Sequence, residues 1–369
     1  MGTPSRVIDS SRHETRGGVP PARHWPRLIL PVALTLALVG CTSDPLDEKR
    51  TASDELFELV VAEDEPGCSA AVALDGEVVW AEAWGMANVE AGAMFEPSTA
   101  TLIGSVGKQF TAMAVLMLAE QGALSLEDSP ADFLDGMPAW VDDLTLNDLM
   151  HHTSGIADFV EVPVSNFPGA ALNNDAIREF VRTSPNAQPG TPGRWSYSNT
   201  NYTLLADVVA EVTGVEFTEW MQTNVYTPLD LTAREGPPTP SDPVGYHAAG
   251  GEFVVEEPFA WDVAGPGLIT MTPSDLVRWG DQYREPTLVS GNTLDDALQS
   301  ATPAEDGWAY GPGLWVGDDG TLAHDGAGAG HYTSFGVSPD RHTTAAIACN
   351  HDGLHPGTLM ESLATVWVG

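Results

Sequence analysis

The sequence predicts an α+β fold: a central antiparallel sheet flanked by helices, a mostly helical insert at about residues 123–240, and a cleft between the two. Three observations predict it. Two apolar stretches, GCSAAVAL and EVVWAEAW, flank Asp75-Gly76, a dipeptide suited to a two-residue hairpin turn. From residue 123 to about 230 the texture is helical, broken by Pro- and Gly-rich loops. From about residue 245 Gly-rich strand patterns return, in VGYHAAGGEFVV, WAYGPGLWVG, GTLAHDG, HYTSFGVSP and TTAAIACN. Hairpin-linked strands at both ends of a chain build one antiparallel sheet, against which the helical block must pack.

The elements follow in order. ELFELVVAE, residues 55–63, reads as a first helix. Ser105 opens a second, which Gly122 ends. Its apolar positions Phe110, Met113, Ala114, Leu116, Met117 and Leu118 cover more than one stripe, which marks a central helix. LTLNDLMHHTSG is a short helix ending at Gly155, TNYTLLADVVAEVTG a longer one ending at Gly214, and VEFTEWMQTNVYTPL a third. Within the late strands TPSDLVRWGDQY is helical, with Thr272 as its cap and Pro273 in its first turn. LMESLATVW closes the chain as a helix.

Hydrophobic residues make up 43% of the 369, enough for a large core, and the formal net charge is -37. Such a charge excludes nucleic acid as a partner and makes the fold repel itself unless salt screens it. It fits a saline habitat or an acidic exported protein. The three cysteines, Cys41, Cys68 and Cys349, show no metal spacing. Cys68 and Cys349 lie in apolar strand patterns and are expected to be two buried free thiols.

The N-terminus carries Arg6, Arg12, Arg16, Arg23 and Arg27, then LILPVALTLALVGC at 28–41. This apolar run is short for a membrane span and has the layout of an export signal. Its last residues, LVGC, resemble a prokaryotic lipobox. That resemblance implies removal of residues 1–40, lipidation of Cys41 as a membrane anchor on the outer side, a polar tether over 41–54, and a folded domain over 55–369.

Three patterns carry chemistry. Ser105 and Lys108 stand three apart at a helix start, on one face, and lysine is otherwise present only at Lys49. A partly buried amine loses proton affinity and can act as a base toward the serine; a capping serine beside a snorkelling lysine is the plainer alternative. Tyr197 and Asn199 stand two apart before a helix, positioned to relay a proton and to hold a carbonyl or an amine, or else to form a capped turn. In TLAHDGAGAGHYTSF, His324 offers an electropositive or hydrogen-bonding group, Gly326 allows close backbone approach, and the Ala327 N–H can point at an oxyanion. His151, His152 and His331 lack metal-ligand spacing, so no metal is expected. His331 is a weak candidate for the cleft mouth, Trp308 or Tyr310 could line the pocket, and His351 and His355 are expected in solvent.

Ser105-Val106-Gly107-Lys108, Tyr197-Ser198-Asn199 and His324-Asp325-Gly326, in this order, resemble the serine beta-lactamase and penicillin-binding superfamily, nearest its class C beta-lactamases, D-alanyl-D-alanine carboxypeptidases and related esterases. LMHHTSG at 149–155 and GPGLITMTPSDLVRWG at 265–280 agree. The resemblance implies a serine hydrolase working without a cofactor. Ser105 is its nucleophile, Lys108 and Tyr197 move the proton, Asn199 orients substrate or lysine, and His324 holds substrate beside Gly326. The N–H groups of Ser105 and Ala327 form the oxyanion hole. Its substrate would be a small ester, peptide or lactam, including cell-wall peptide. A penicillin-binding or sensor module with little turnover is the other class implied. Where many members have Lys-Thr-Gly this chain has His324-Asp325-Gly326, which weakens the pull on a substrate carboxylate and favours esterase or peptidase over beta-lactamase.

Overall fold

The computed structural model describes residues 44–167, 172–188, 190–257 and 261–368. The expected export signal and the lipid anchor Cys41 lie outside the described residues. Among those described, no helix is long and apolar enough to cross a membrane.

An eight-stranded sheet of antiparallel pairs forms the centre. The strands Cys68–Leu74 and Glu77–Trp84 form one edge, joined at Asp75-Gly76, where both residues have positive φ as a tight hairpin demands. Inward from them lie Thr343–Cys349, His331–Val337 and Leu322–Gly328, then three two-residue strands ending at Thr302–Pro303. The sheet thus draws on both ends of the chain, as expected.

The period of two along a strand divides the packing. In the strand beginning at Cys68, Cys68, Ala70 and Val72 face one helical layer, while Ala71 and Ala73 face the other. The first layer pairs α1 (Pro45–Glu58) with α9 (Pro356–Val368). The second holds α7 (Pro273–Trp279) against the sheet, and beyond it the large core of α2 (Lys108–Glu120) and α5 (Asn199–Thr213). Every residue of α2 from Lys108 to Leu118 is buried, as its all-round apolar pattern predicts. Gly122 and Gly214 follow α2 and α5 with left-handed φ, and the Thr272 hydroxyl caps α7 by accepting from the Asp275 N–H at 3.0 Å.

Several expectations need correction. Cys68 and Cys349 form a disulfide rather than two free thiols. They stand directly opposite each other on neighbouring strands, on the α1–α9 side, a register that no sequence spacing displays. The first helix begins at Pro45, not near 55, so residues expected as tether are folded. Asp44 caps it, and Phe57 stacks on Trp84 at 4.2 Å, tying it to the sheet. Lys49 donates to the Trp367 carbonyl at 2.7 Å, a cation at the last turn of α9. Ser105 lies in a 3-10 turn, Gly104–Gly107, ahead of α2. The LTLNDLMHHTSG helix stops at Met150, and the VEFTEWMQTNVYTPL helix becomes a π-turn at Gln222. His351 is buried beside Phe253 and accepts from the Gly353 N–H, whereas His355 is exposed as expected.

Candidate active site

The turn carrying Ser105 is wedged between two other backbones, and glycine makes the wedge possible. A Cβ on Gly326 would lie 1.9 Å from the Ile103 carbonyl oxygen. One on Gly104, at φ +55°, would lie 2.7 Å from the Ala327 nitrogen, and one on Gly267 would lie 2.0 Å from the Gly104 oxygen. The Ser105 and Ala327 backbones therefore share one wall.

Lys108, the first residue of α2, is fully buried, and its amine has three partners. These are the Ser105 hydroxyl oxygen at 2.9 Å, the Asn199 Oδ1 at 2.7 Å and the Pro266 carbonyl at 2.9 Å. Burial drives its pKa down to about 7, against an upward pull from Asp158. A neutral amine has two N–H groups and one lone pair. Asn199 Oδ1 and the Pro266 carbonyl can only accept, so they take the two N–H groups and leave the lone pair facing the Ser105 O–H.

Tyr197 covers this amine, its ring 4.9 Å from Nζ. Its buried hydroxyl makes no well-formed hydrogen bond. Burial raises its pKa well above the ordinary value, and the adjacent Ser105 hydroxyl only partly opposes that. Beneath Tyr197 lies His152, ring to ring at 4.3 Å and held neutral by burial. Its Nδ1 accepts from the Ser198 N–H at 3.2 Å, which ties the Tyr197-Ser198-Asn199 turn to the loop after α3 (Leu146–Met150).

His324 departs from the sequence reading. It is fully buried, with Nδ1 2.6 Å from the Asp325 carbonyl and Nε2 3.0 Å from the Tyr310 hydroxyl. A carbonyl accepts only, so Nδ1 carries the proton and Nε2 accepts from Tyr310. Burial lowers the pKa of the ring to about 3. It therefore offers the cleft neither a cation nor a spare ring nitrogen. Tyr310, considered as pocket lining, is instead the buried partner of this histidine. His331 is also buried, with its two ring nitrogens against the carbonyls of Ala329 and Pro243. Among the described residues no group of three or more His, Cys, Asp or Glu side chains could hold a metal ion.

Two participants escaped the sequence reading. Asp158 receives the Asn199 amide at 2.9 and 3.2 Å. The Pro266 carbonyl faces Lys108 from Gly265-Pro266-Gly267, a glycine-flanked stretch whose composition was the available cue to close approach. A patch of Leu102, Leu268 and Ala329, with Trp261 packed on it, flanks the turn.

The beta-lactamase family model matches residues 54–364. The chain belongs to the beta-lactamase family. PbpX of Bacillus subtilis (strain 168), by its name a candidate penicillin-binding protein, is 28% identical over 280 residues, 73% of this chain and 64% of the relative. Protein flp of Staphylococcus aureus (strain COL) is 25% identical over 318 residues, 81% of this chain and 62% of the relative. The chain therefore spans less than two thirds of the length of these relatives. Among solved structures, an octameric penicillin-binding protein homologue from Pyrococcus abyssi superposes with TM-score 0.74 at 25% identity, over 88% of this chain and 77% of the other. EstCE1, a hydrolase with promiscuous acyltransferase activity, shares the fold with TM-score 0.74 at 18% identity, over 88% of this chain and 99% of the other. The family is one of serine hydrolases built on the antiparallel sheet and helices described above.

Proposed function

We propose that this chain is a serine hydrolase that cleaves uncharged esters or amides through an acyl-enzyme on Ser105. One observation carries the reading: a buried, easily neutralised lysine whose only uncommitted electron pair faces the serine hydroxyl at 2.9 Å. Ser105 Oγ bonds to the substrate carbonyl carbon as its proton passes to Lys108 Nζ, and the carbonyl pair moves onto oxygen. The Ser105 and Ala327 N–H groups receive that oxyanion. The bond to the leaving group then breaks, and the proton returns to that group through Tyr197. Water then bonds to the acyl carbon and gives a proton to Lys108; the bond to Ser105 Oγ breaks, Oγ takes that proton back, and the carboxylic acid leaves.

The substrate preference follows from His324 and the apolar patch. A neutral, fully engaged histidine stands where many relatives have lysine, and so gives no anchor to a substrate carboxylate. Leu102, Leu268 and Ala329 suit an apolar acyl group. We place the enzyme outside the cytoplasm, anchored through Cys41. The export-like N-terminus supports this, and a structural disulfide suits an oxidising compartment.

The test uses a fluorophosphonate probe and intact mass. Wild type is expected to gain one adduct and Ser105→Ala none, and neutral p-nitrophenyl esters should be turned over faster than penicillins. An unlabelled, folded wild-type protein that instead retains labelled penicillin would favour a binding module and overturn the proposal.

A further inference from the structure

We propose that Asp158 is a positioning residue for this reaction: its carboxylate fixes the orientation of the Asn199 amide, and that amide fixes where the Lys108 lone pair points. The proposal rests on the acyl-enzyme reading above.

The geometry has a direction that can be read atom by atom. An amide side chain has one face that accepts and one that donates. If Asn199 turned over, its NH2 would face Lys108 and would seek the amine's lone pair. The lysine would then aim at asparagine instead of Ser105. Asp158 prevents this. An ionised carboxylate only accepts, and its two oxygens lie 2.9 and 3.2 Å from Asn199 Nδ2, so the amide must present Oδ1 to Lys108. Asp158 is itself fixed, because Oδ1 also accepts from the Val160 N–H at 3.1 Å. The Pro266 carbonyl takes the second lysine N–H. The line Asp158–Asn199–Lys108–Ser105 thus has one consistent set of donors, and the carboxylate is the end that sets it.

The same placement has an electrostatic consequence. Asp158 raises the proton affinity of Lys108, opposing the larger effect of burial. Burial likewise raises the carboxyl's own pKa, to about 6, against the opposing pull of the Val160 N–H, Lys108 and Asn199, so the carboxylate is ionised near pH 7. The other titratable groups around the amine are Tyr197 and Tyr202, with rings 4.9 and 5.6 Å away, and the buried rings of His152 and His324. Burial keeps all four neutral near pH 7. Asp158 is therefore the charge that the amine senses there.

The test is Asp158→Asn, nearly the same shape without the charge and with an ambiguous amide. We expect kcat for a neutral ester to fall roughly tenfold or more with KM little changed. The acid limb of kcat/KM should also move to lower pH, because the lysine loses a stabilising anion. A purely structural role would lower the melting temperature and leave that limb in place. Asp158→Glu retains the acceptor-only charge and should keep the limb near its wild-type position; it also serves if the asparagine variant does not fold. A folded Asp158→Asn with wild-type kcat and an unmoved limb overturns the proposal, as does a glutamate variant whose limb moves to lower pH. Failure of the underlying reading looks different: Ser105→Ala would then keep full activity.

Discussion

At the scale of single residues, the chemistry depends on a lysine that must not hold its proton. Protonated Lys108 has no pair to offer Ser105, so kcat/KM should fall as pH drops through about 7, where burial has brought its pKa. Titrating the rate of probe labelling against pH checks this; a rate that stays flat well below that point refutes it. Lys108→Arg keeps the charge but cannot release it, and acylation should drop by at least ~10²-fold. Ser105 and Lys108 were legible in the sequence because three residues on a helix share a face, and Tyr197 with Asn199 because their turn precedes an evident helix. Asp158 was not legible. It meets Asn199 across 41 residues through a loop, and nothing in ADFV distinguishes a buried carboxylate from a solvated one. The state of His324 was equally hidden, because it depends on a hydrogen bond from Tyr310, fourteen residues earlier on another strand.

At the scale of elements, the site exists because three backbones approach more closely than side chains allow. Gly326→Ala would drive a methyl into the Ile103 carbonyl and push the serine turn off the strand. We expect a stability loss of about 1–3 kcal/mol, read by thermal unfolding, together with a large loss of probe labelling. A variant that labels at the wild-type rate would show that the turn is held elsewhere. The hairpin at Asp75-Gly76, the ends of α2 and α5, and the cap of α7 were readable because each is set by local backbone preference. The start of α1 and the fate of Cys68 and Cys349 were not. One depends on Lys49 and Arg50 meeting the carbonyls of Trp367 and Val79, and the others on strands 281 residues apart lying side by side in register.

At the scale of the whole molecule, charge dominates. Residues 1–40 hold five of the 15 basic residues and only two of the 52 acids, so the rest of the chain is more acidic than the whole, with 10 basic residues against 50 acids. Several of its cations are each paired with an acid: Arg50 with Asp47, Arg178 with Asp175 and Asp207, Arg278 with Asp275, Arg284 with Asp281. So few pairs leave the wider repulsion standing. The melting temperature should therefore rise steadily from low to molar sodium chloride as that repulsion is screened. A melting temperature independent of salt would mean that the acidic surface is too dispersed to strain the fold.

The Cys68–Cys349 bond gives the chain a topology of its own. It closes a covalent ring that contains Ser105, Lys108, Asp158, Tyr197, Asn199 and His324, and leaves α1 and α9 outside as two tails that lie together on the far face. A protease that nicks a loop within the ring therefore releases nothing. The two pieces remain joined at the sheet, run as one species until a reductant is added, and can re-form the site around the cut. Damage to the parts that do chemistry is retained in place, whereas a cut between α1 and the first strand leaves that helix held by packing alone.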